Sequence, residues 1–264
     1  MPGQPPGFRA GAPLLCLAMM ANNRSIALLL TATIDPGATP FVERRDPLTR
    51  LRDYQQALEW WLSCAAAPRL VLCENSGFDL APLVRLAERQ SRCEVEFLSF
   101  LGNQAAAIRG KGYAEFQLID HAMRTSSFIA SSDVIVKCTG RLTIRNATAL
   151  FKAMAATEFD VMCTLMKCLS YADSRIYAAT PAFIREHLLP KIDMINDGEG
   201  VNAEHALACA AASAIAGQMA WRPLPVYPRF AGVSASTGLS AADPPAKRAV
   251  RAAYHRLRRM LYEH

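Results

Sequence analysis

The chain has 264 residues, of which 52% are hydrophobic, enough for the core of one large α/β domain or of two small ones. Its formal net charge is +6, but residues 245–264 carry six Lys or Arg and one acid, which accounts for +5 of that charge. Because the rest of the chain is close to neutral and shows no nucleic-acid-binding motif, charge and composition argue against a nucleic-acid partner.

The first 24 residues are rich in Pro and Gly around a short apolar patch, and we expect a disordered leader there. The chain contains no run of 18 consecutive apolar residues, the length that would indicate a membrane span.

The eight cysteines show no C-x-x-C spacing, and several lie within apolar runs. We therefore expect buried thiols in a reducing cytoplasm, as opposed to disulfides or a zinc site.

Apolar runs of strand length alternate with helical spacings through the first half of the chain. Strands are predicted at 25–33, 69–73, 95–100 and from residue 134 onward. The helices between them are predicted to begin at Asp46-Pro47, at Asp79 and at a Gly110-Lys111-Gly112 turn. This alternation predicts a Rossmann-like α/β fold, with a mixed and mostly parallel sheet flanked by helices.

The second half of the chain is less regular. After a helix capped by Asn146, strands are predicted at 160–166 and 174–179, and a long Ala-rich helix at 203–216. A last strand is expected at 224–227. Residues 231–245 are rich in Gly, Ser and Pro, so we expect a flexible linker before a basic tail helix.

Cationic and Gly-containing residues follow the buried strand of 134–136. They are Lys137, Thr139, Gly140 and Arg141. Ligands of open α/β sheets bind beyond the carboxyl ends of the strands, so this strand end is the first place where we expect a site.

Several short motifs recur in an order known from one enzyme class. In chain order they are Thr31 and Thr33, Asp46-Pro47-x-x-Arg50-x-x-x-Tyr54, Glu74-Asn75-Ser76, Gly110-Lys111-Gly112-Tyr113 and Lys137-x-Thr139-Gly140-Arg141. This order resembles bacterial glycosyltransferases of GT-A-like fold, in particular those that build lipopolysaccharide and capsule. The resemblance implies one catalytic domain over about 25–235, with a nucleotide half to about 145 and an acceptor half after it, before a linker and basic helix at 236–264. It also implies a nucleotide-sugar donor and a glycan or lipid-linked acceptor.

The chain departs from that family at the metal site. Where the family carries a metal-binding Asp-x-Asp, this sequence has Lys137-Cys138-Thr139-Gly140-Arg141. Transfer from a nucleotide-sugar requires stabilisation of the leaving diphosphate, which a divalent metal or fixed cations can provide. We therefore expect a metal-independent enzyme without a cofactor, in which Lys137 and Arg141 face the diphosphate and Lys111 lies near it. A Mg or Mn ion held by residues such as Asp133 or Asp173 stays an alternative, and so do ordinary solvated charges at the strand end.

Further substrate contacts are implied by the resemblance. The set predicted to contact the base, ribose, diphosphate or sugar comprises Thr31, Thr33, Glu74, Asn75, Ser76, Lys111, Gly112, Thr139, Gly140, Asp173 and Arg175. The simpler interpretation of those at the first two strand ends is that they form turns.

The second half of the chain carries the candidate bases. An inverting transferase needs a base beside the acceptor hydroxyl, and Glu204, Asp197 or His205 could supply it near the start of the Ala-rich helix. Alternatively, Asn202 is an N-cap and Glu204 an acid that favours the helix dipole. A retaining enzyme would need no such base.

The tail helix has an apolar stripe surrounded by basic residues. Val250, Tyr254, Leu257 and Leu261 recur at spacings of 4, 3 and 4. Such a helix is typical of binding to an anionic membrane surface, here through residues 247–261. A helix docked on its own domain is the alternative.

The sequence thus predicts a cytoplasmic glycosyltransferase, peripheral on the inner membrane, that transfers a sugar to a cell-surface glycan. Two other classes stay open. A non-catalytic nucleotide- or glycan-binding module is one. A SAM-dependent methyltransferase is the other, because Glu74 and Gly77 follow a strand, although the usual Gly-x-Gly loop is missing.

Overall fold

The computed structural model describes residues 24–64, 66–89, 93–234 and 236–262. The predicted leader, apart from Arg24, lies outside these ranges. The strands are β1 (Ile26–Ala32), β2 (Arg69–Glu74), β3 (Glu94–Ser99), β4 (Val134–Thr139), β5 (Leu142–Ile144), β6 (Val161–Met162), β7 (Leu165–Met166), β8 (Tyr171–Ala172), β9 (Ile176–Ala179), β10 (Trp221–Arg222) and β11 (Phe230–Gly232). The α-helices are α1 (Pro47–Cys64), α2 (Ala81–Glu88), α3 (Ala106–Arg109), α4 (Lys111–Thr125), α5 (Ser127–Ala130), α6 (Ala147–Ala155), α7 (Pro181–Phe183), α8 (Ala203–Ala216) and α9 (Pro245–Tyr262).

A seven-stranded sheet with the order β10-β6-β9-β4-β1-β2-β3 forms the centre of the molecule. β1 pairs in parallel with both β2 and β4, and β3 continues in parallel beyond β2. β9 runs antiparallel to both of its neighbours, β4 and β6. The predicted fold class, a mixed and mostly parallel sheet flanked by helices, is therefore confirmed.

The burial of β1 explains its central position. All seven of its residues are buried, because successive side chains contact helices on opposite faces of the sheet. Leu28 and Leu30 belong to a core that includes Trp61 of α1, whereas Leu29 packs with Phe116 of α4 in the core of the other face. The parallel strands on each side place the carboxyl ends of β1, β2 and β4 at one edge.

The second half of the chain departs most from the predicted elements. The strand expected at 160–166 is divided into β6 and β7, which belong to different sheets. The prediction of a strand at 224–227 is wrong, because β10, the strand that pairs with β6, lies earlier, at Trp221–Arg222. Sequence patterns also missed the antiparallel pair of β5 and β11, whose partners are about 90 residues apart and are therefore invisible to local periodicity.

The C-terminal segment packs against the domain. β11 overlaps the start of the stretch expected to be a flexible linker and pairs with β5, and α9 extends from Pro245 to Tyr262. Within the described ranges, no helix is both long enough and apolar enough to cross a bilayer.

The cysteines of the described residues are free thiols. Cys73, Cys138 and Cys163 are buried, as expected, but Cys168 and Cys209 are exposed. Cys16 lies outside the described residues.

Candidate active site

A cavity of about 610 Å³ lies at the carboxyl ends of β1 and β4. Its walls come from the first turns of α4 and α8 and from the segment of 233–251. The sequence-predicted residues that line this cavity are Thr31, Thr33, Lys111, Gly112, Thr139, Arg141, Arg175, Asp197 and Glu204. Those that do not line it are Glu74, Asn75, Ser76, Lys137, Gly140, Asp173 and His205.

Glu74 organises the turns next to the cavity. It is fully buried, and its carboxylate accepts hydrogen bonds from the backbone N–H groups of Ile34 at 2.9 Å and Ser76 at 2.9 Å. The neighbouring Asn75 accepts a hydrogen bond from the Thr33 hydroxyl at 2.7 Å. The expectation that Glu74, Asn75 and Ser76 contact a ligand does not fit this placement, because none of the three lines the cavity and the carboxylate of Glu74 and the side-chain carbonyl of Asn75 hold the ends of β1 and β2.

Lys137 lies beneath the cavity. Its side chain is 1% exposed, and its ammonium is bound to the carboxylate of Glu115 and, at 2.8 Å, to the carbonyl of Ser174. The Thr31 hydroxyl donates to the same Glu115 oxygen at 3.3 Å. The expectation that Lys137 faces a diphosphate does not fit this geometry, because its charge is already neutralised inside the protein.

Glu115 lines the cavity, but sequence reasoning missed it. The available signal was its position one helical turn after Lys111, which places both residues at the same end of α4. Nothing in the local pattern indicated that Lys137, on a strand, would be its partner.

The two glycines of the Gly110-Lys111-Gly112 turn make room for Asp197. Gly110 has φ +93°, and a Cβ there would come within 2.4 Å of Asp197. A Cβ on Gly112 would come within 2.9 Å of Asp197 Oδ1, and the Gly112 N–H donates to Asp197 Oδ2 at 3.2 Å. The first turn of α4, where Lys111 and Gly112 were expected to contact the substrate, thus already holds a carboxylate.

Glu204 is a partly buried acid on the opposite wall. Ser174 donates a hydrogen bond to its carboxylate at 2.9 Å. Burial, and next the negative charge of Glu115, raise the pKa of Glu204. Burial also raises the pKa of Asp197. Both acids therefore hold a proton more readily than exposed carboxyl groups do.

His205 has a structural position. It forms a reciprocal cap with Asn202 at the start of α8, with hydrogen bonds of 3.4 and 3.3 Å. Its ring packs edge-on against Tyr171, with 5.2 Å between the ring centroids. The expectation that His205 is the base does not fit, because the side chain caps the helix instead of lining the cavity.

Arg175 is a cavity cation with an internal counter-charge. Its guanidinium forms a two-point pair with Asp173, at 2.8 and 2.7 Å. Its central carbon also lies 4.1 Å from the centroid of the Phe230 ring. Asp173 therefore serves to orient Arg175 and to neutralise it.

Gly140 is required by close backbone packing. A Cβ at this position would lie 2.7 Å from the Thr31 carbonyl oxygen and 3.2 Å from the Tyr54 ring. The Gly140 N–H donates to that same carbonyl at 2.9 Å. This contact fixes the turn that brings Arg141 to the cavity.

The segment after β11 closes one side of the cavity. The Arg141 guanidinium donates to the Val233 carbonyl at 2.9 Å, and the Lys111 ammonium contacts the Ser236 hydroxyl. Further along, Asp243 accepts hydrogen bonds from Tyr227 at 2.6 Å and Arg251 at 2.8 Å. A stretch that reads as a linker in the sequence is thus part of the site.

The arrangement of donor side chains among the described residues bears on metal binding. Within the described ranges, no cluster of three or more His, Cys, Asp or Glu side chains is arranged to hold a metal ion.

The chain is similar in fold to solved transferase structures. No protein-family model and no curated protein sequence matches it. One similar structure is a protein from Desulfovibrio desulfuricans G20 assigned as a nucleotide-diphospho-sugar transferase, with 15% identity, 75% of this chain and 79% of that chain covered, and a TM-score of 0.47.

Two further structures extend this comparison. The galactosyltransferase LgtC, in complex with donor and acceptor sugar analogues, has 10% identity, 69% of each chain covered and a TM-score of 0.45. The inositol-1-phosphate CTP transferase from T. maritima has 11% identity, 83% of this chain and 93% of that chain covered, and a TM-score of 0.44. At such identities and TM-scores, these activities belong to the named proteins and are not transferred to this chain.

Proposed function

We propose that this chain is a glycosyltransferase that moves a sugar from a nucleotide-sugar donor to a cell-surface glycan or lipid-linked acceptor in the cytoplasm. The observation that supports this most strongly is that a single cavity at the strand ends combines cations with an acid of raised pKa. Arg141 and Lys111 line it together with Glu204. These are the two kinds of group that a metal-independent, inverting sugar transfer requires.

The cations would act on the leaving group. When the bond between the anomeric carbon and the diphosphate oxygen breaks, negative charge grows on the diphosphate. The Arg141 guanidinium and the Lys111 ammonium, both fixed by hydrogen bonds to the C-terminal segment, would stabilise that charge. No divalent ion is needed for this step.

Glu204 would act on the acceptor. As the acceptor oxygen forms its bond to the anomeric carbon, its hydroxyl proton moves to the Glu204 carboxylate, and the nucleoside diphosphate departs with the electron pair of the broken bond. A raised pKa makes Glu204 a stronger base than an exposed glutamate once it is ionised. This assignment makes the transfer inverting. Asp197 is the second candidate base on the same cavity.

The outer face of α9 suggests where the acceptor resides. The four residues of the apolar stripe, Val250, Tyr254, Leu257 and Leu261, are 55–69% exposed, and Met260 is 64% exposed. The helix carries six Lys or Arg and no acid, so its charge complements an anionic lipid surface. Since Lys247 and Arg251 of the same helix line the cavity, a lipid-linked acceptor at that surface would be close to the site.

The methyltransferase alternative has lost its main support. Glu74, the acid that suggested a ribose contact, is fully buried in a turn and does not line the cavity. A non-catalytic binding module differs from the proposed enzyme only in turnover.

Ligand binding tests the donor class. We expect UDP, GDP or CMP to raise the melting temperature of the purified chain, with the same shift in EDTA as in Mn²⁺, because a ligand that binds only the folded state stabilises it. Release of the matching nucleoside phosphate from its sugar conjugate would then establish turnover. A shift seen only with Mn²⁺ would contradict metal independence. A shift with S-adenosylhomocysteine alone would contradict the transferase proposal.

A further inference from the structure

Arg50 is a buried cation beside the cavity. It is 3% exposed, and its guanidinium donates to the Thr33 carbonyl at 2.8 Å and to the Arg44 carbonyl at 3.1 Å. It also approaches the Tyr54 hydroxyl, at 3.5 Å. These partners are neutral, so they orient Arg50 without cancelling its charge.

Arg141 shares the same tyrosine. It is 6% exposed, its Nε lies 3.4 Å from the Tyr54 hydroxyl, and its Nη1 donates to the Val233 carbonyl. Among the described residues its Nη2 has no hydrogen-bond partner. Arg50 and Arg141 both line the cavity. Burial lowers the pKa of Arg50 and the charge of Arg141 lowers it further, whereas Asp53, which is paired with Arg44, acts in the opposite direction.

The lack of an ion pair with a described carboxylate distinguishes these two arginines from Lys137 and Arg175, and they share it with Lys111. Within the described part of the chain, neither Arg50 nor Arg141 forms an ion pair with a carboxylate. By contrast, Lys137 is paired with Glu115, and Arg175 with Asp173. Of the cavity carboxylates, Glu115 is thus paired with Lys137 and Asp243 with Arg251, whereas Asp197 and Glu204 form no ion pair with a described cation.

Two adjacent buried guanidinium groups without an anion are energetically unfavourable, and a bound anion removes that cost. We propose that Arg50, Tyr54 and Arg141 form an anion seat for a phosphate or diphosphate group. This inference deepens the proposed function, on which it rests for the identity of the ligand as a nucleoside diphosphate. The ligand contacts Nη2 of Arg141, Arg50 supplies the second positive charge, and Tyr54 fixes the distance between the two.

A phosphate group suits this seat better than a single carboxylate does. A diphosphate carries at least two negative charges, which match two guanidinium groups, and its tetrahedral oxygens accept from donors on several sides. Thr139 lines the cavity at the same strand ends and can supply a further hydroxyl donor, whereas the hydroxyls of Thr31 and Thr33 already donate to Glu115 and Asn75.

Calorimetric titration with inorganic pyrophosphate in the presence of EDTA tests the seat without any nucleotide. We expect wild-type protein to bind pyrophosphate, with an affinity that falls as ionic strength rises. Arg141→Gln should weaken binding at least tenfold, and Arg141→Lys should fall in between because it keeps the charge but loses the fork. Arg124→Gln, which removes an exposed arginine elsewhere on the surface, is the matched control and should bind like wild type.

Thermal shifts measured with the same ligand guard against misfolding of one variant. Pyrophosphate should raise the melting temperature of wild type and of Arg124→Gln, but not that of Arg141→Gln. If Arg141→Gln fails to fold, the weaker binding expected for Arg141→Lys and for Tyr54→Phe decides the question. The seat would be overturned if wild-type protein does not bind millimolar pyrophosphate, or if the Arg141 and Tyr54 variants bind it within twofold of wild type.

The seat and the proposed function can fail separately. If pyrophosphate binds through Arg141 but no nucleoside diphosphate binds and no nucleotide-sugar is consumed, the seat stands and the glycosyltransferase proposal falls. If nucleotide-sugars are consumed equally well by wild type and Arg141→Gln, the glycosyltransferase stands and the seat falls.

Discussion

Two cationic regions border the cavity, and they differ in how their charge is balanced. Lys137 is 1% exposed and bound to Glu115, so its charge is cancelled within the protein. Arg50 and Arg141 are almost as buried, but their partners are carbonyl groups and the Tyr54 hydroxyl. A cation that is neutralised internally contributes to the fold, whereas one without a counter-charge is available to a ligand. Position at a strand end therefore does not by itself indicate a binding role.

The most direct way to test this comparison is to break the internally neutralised pair. Lys137→Met leaves the Glu115 carboxylate without its partner, so we expect a loss of about 3–5 kcal/mol in the free energy of unfolding. The double variant Lys137→Met/Glu115→Gln should recover most of that loss. Chemical denaturation of the three proteins measures both effects. A Lys137→Met protein that is fully stable but binds nucleotide more weakly would instead support the prediction that Lys137 contacts the ligand.

Replacement of Glu204 should affect activity more than stability, unlike the loss of the Glu115 ion pair, because the hydrogen-bond partner of Glu204 is the neutral Ser174 hydroxyl. Glu204→Gln should lower kcat by about 10²–10⁴-fold if Glu204 is the general base. Activity of wild type should rise with pH along an acid limb whose midpoint lies above 4.5, the ordinary pKa of glutamate, since the pKa of Glu204 is raised. Sugar-transfer rates measured across pH in both proteins would show this.

The same raised pKa has a consequence for stability. Above pH 4.5 an unfolded Glu204 ionises more easily than the folded one, so the folded state carries a cost at neutral pH that is absent in more acidic solution. Glu204→Gln should therefore melt no lower than wild type at pH 7, and any gain should disappear below about pH 4. Loss of activity together with a much lower melting temperature would point to a structural role for Glu204.

Gly140 lies between Lys137 and Arg141 in the chain, and its replacement should disturb only the region of Arg50 and Arg141. The Cβ of Gly140→Ala would collide with the Thr31 carbonyl oxygen and press on Tyr54, so we expect a loss of about 1–3 kcal/mol in stability. Because Tyr54 holds Arg141, affinity for pyrophosphate should also decrease. Gly238→Ala, at a glycine with open space but φ +64°, is a control for strain without this collision. Equal pyrophosphate affinity in all three proteins would contradict the role of Tyr54.

The smallest expected effect concerns α9, which contributes cations to the cavity on one side and exposes apolar residues on the other. Leu257→Ser/Leu261→Ser should reduce co-sedimentation with anionic phosphatidylglycerol vesicles several-fold, because both leucines are more than half exposed. Ile108→Ser, which removes an exposed apolar residue outside α9, is the matched control. Two results would contradict binding of this helix to an anionic membrane. One is equal sedimentation of all three proteins, and the other is sedimentation of wild type with neutral vesicles as strong as with anionic ones.

Local patterns predicted the first half of the fold well. The apolar run of β1, the Asp46 cap at the start of α1 and the spacing within α4 are properties of neighbouring residues, so the local sequence indicates each element directly. The pairing of β5 with β11 joins segments about 90 residues apart, and it depends on no local signal. The C-terminal segment could therefore be described from composition only as a linker.

The sequence by itself determined the class of the fold, the edge of the sheet where the cavity lies and several of the residues that line it, including Arg141 and Glu204. These follow from hydrophobic periodicity and from the parallel arrangement of the strands. Only the tertiary structure decided which charges are cancelled, because Glu115 reaches Lys137, Asp173 reaches Arg175, and no described carboxylate pairs with Arg50 or Arg141. The physical reason is that the pairing of buried charges depends on distances of a few ångströms between segments far apart in the chain, which residue order does not specify.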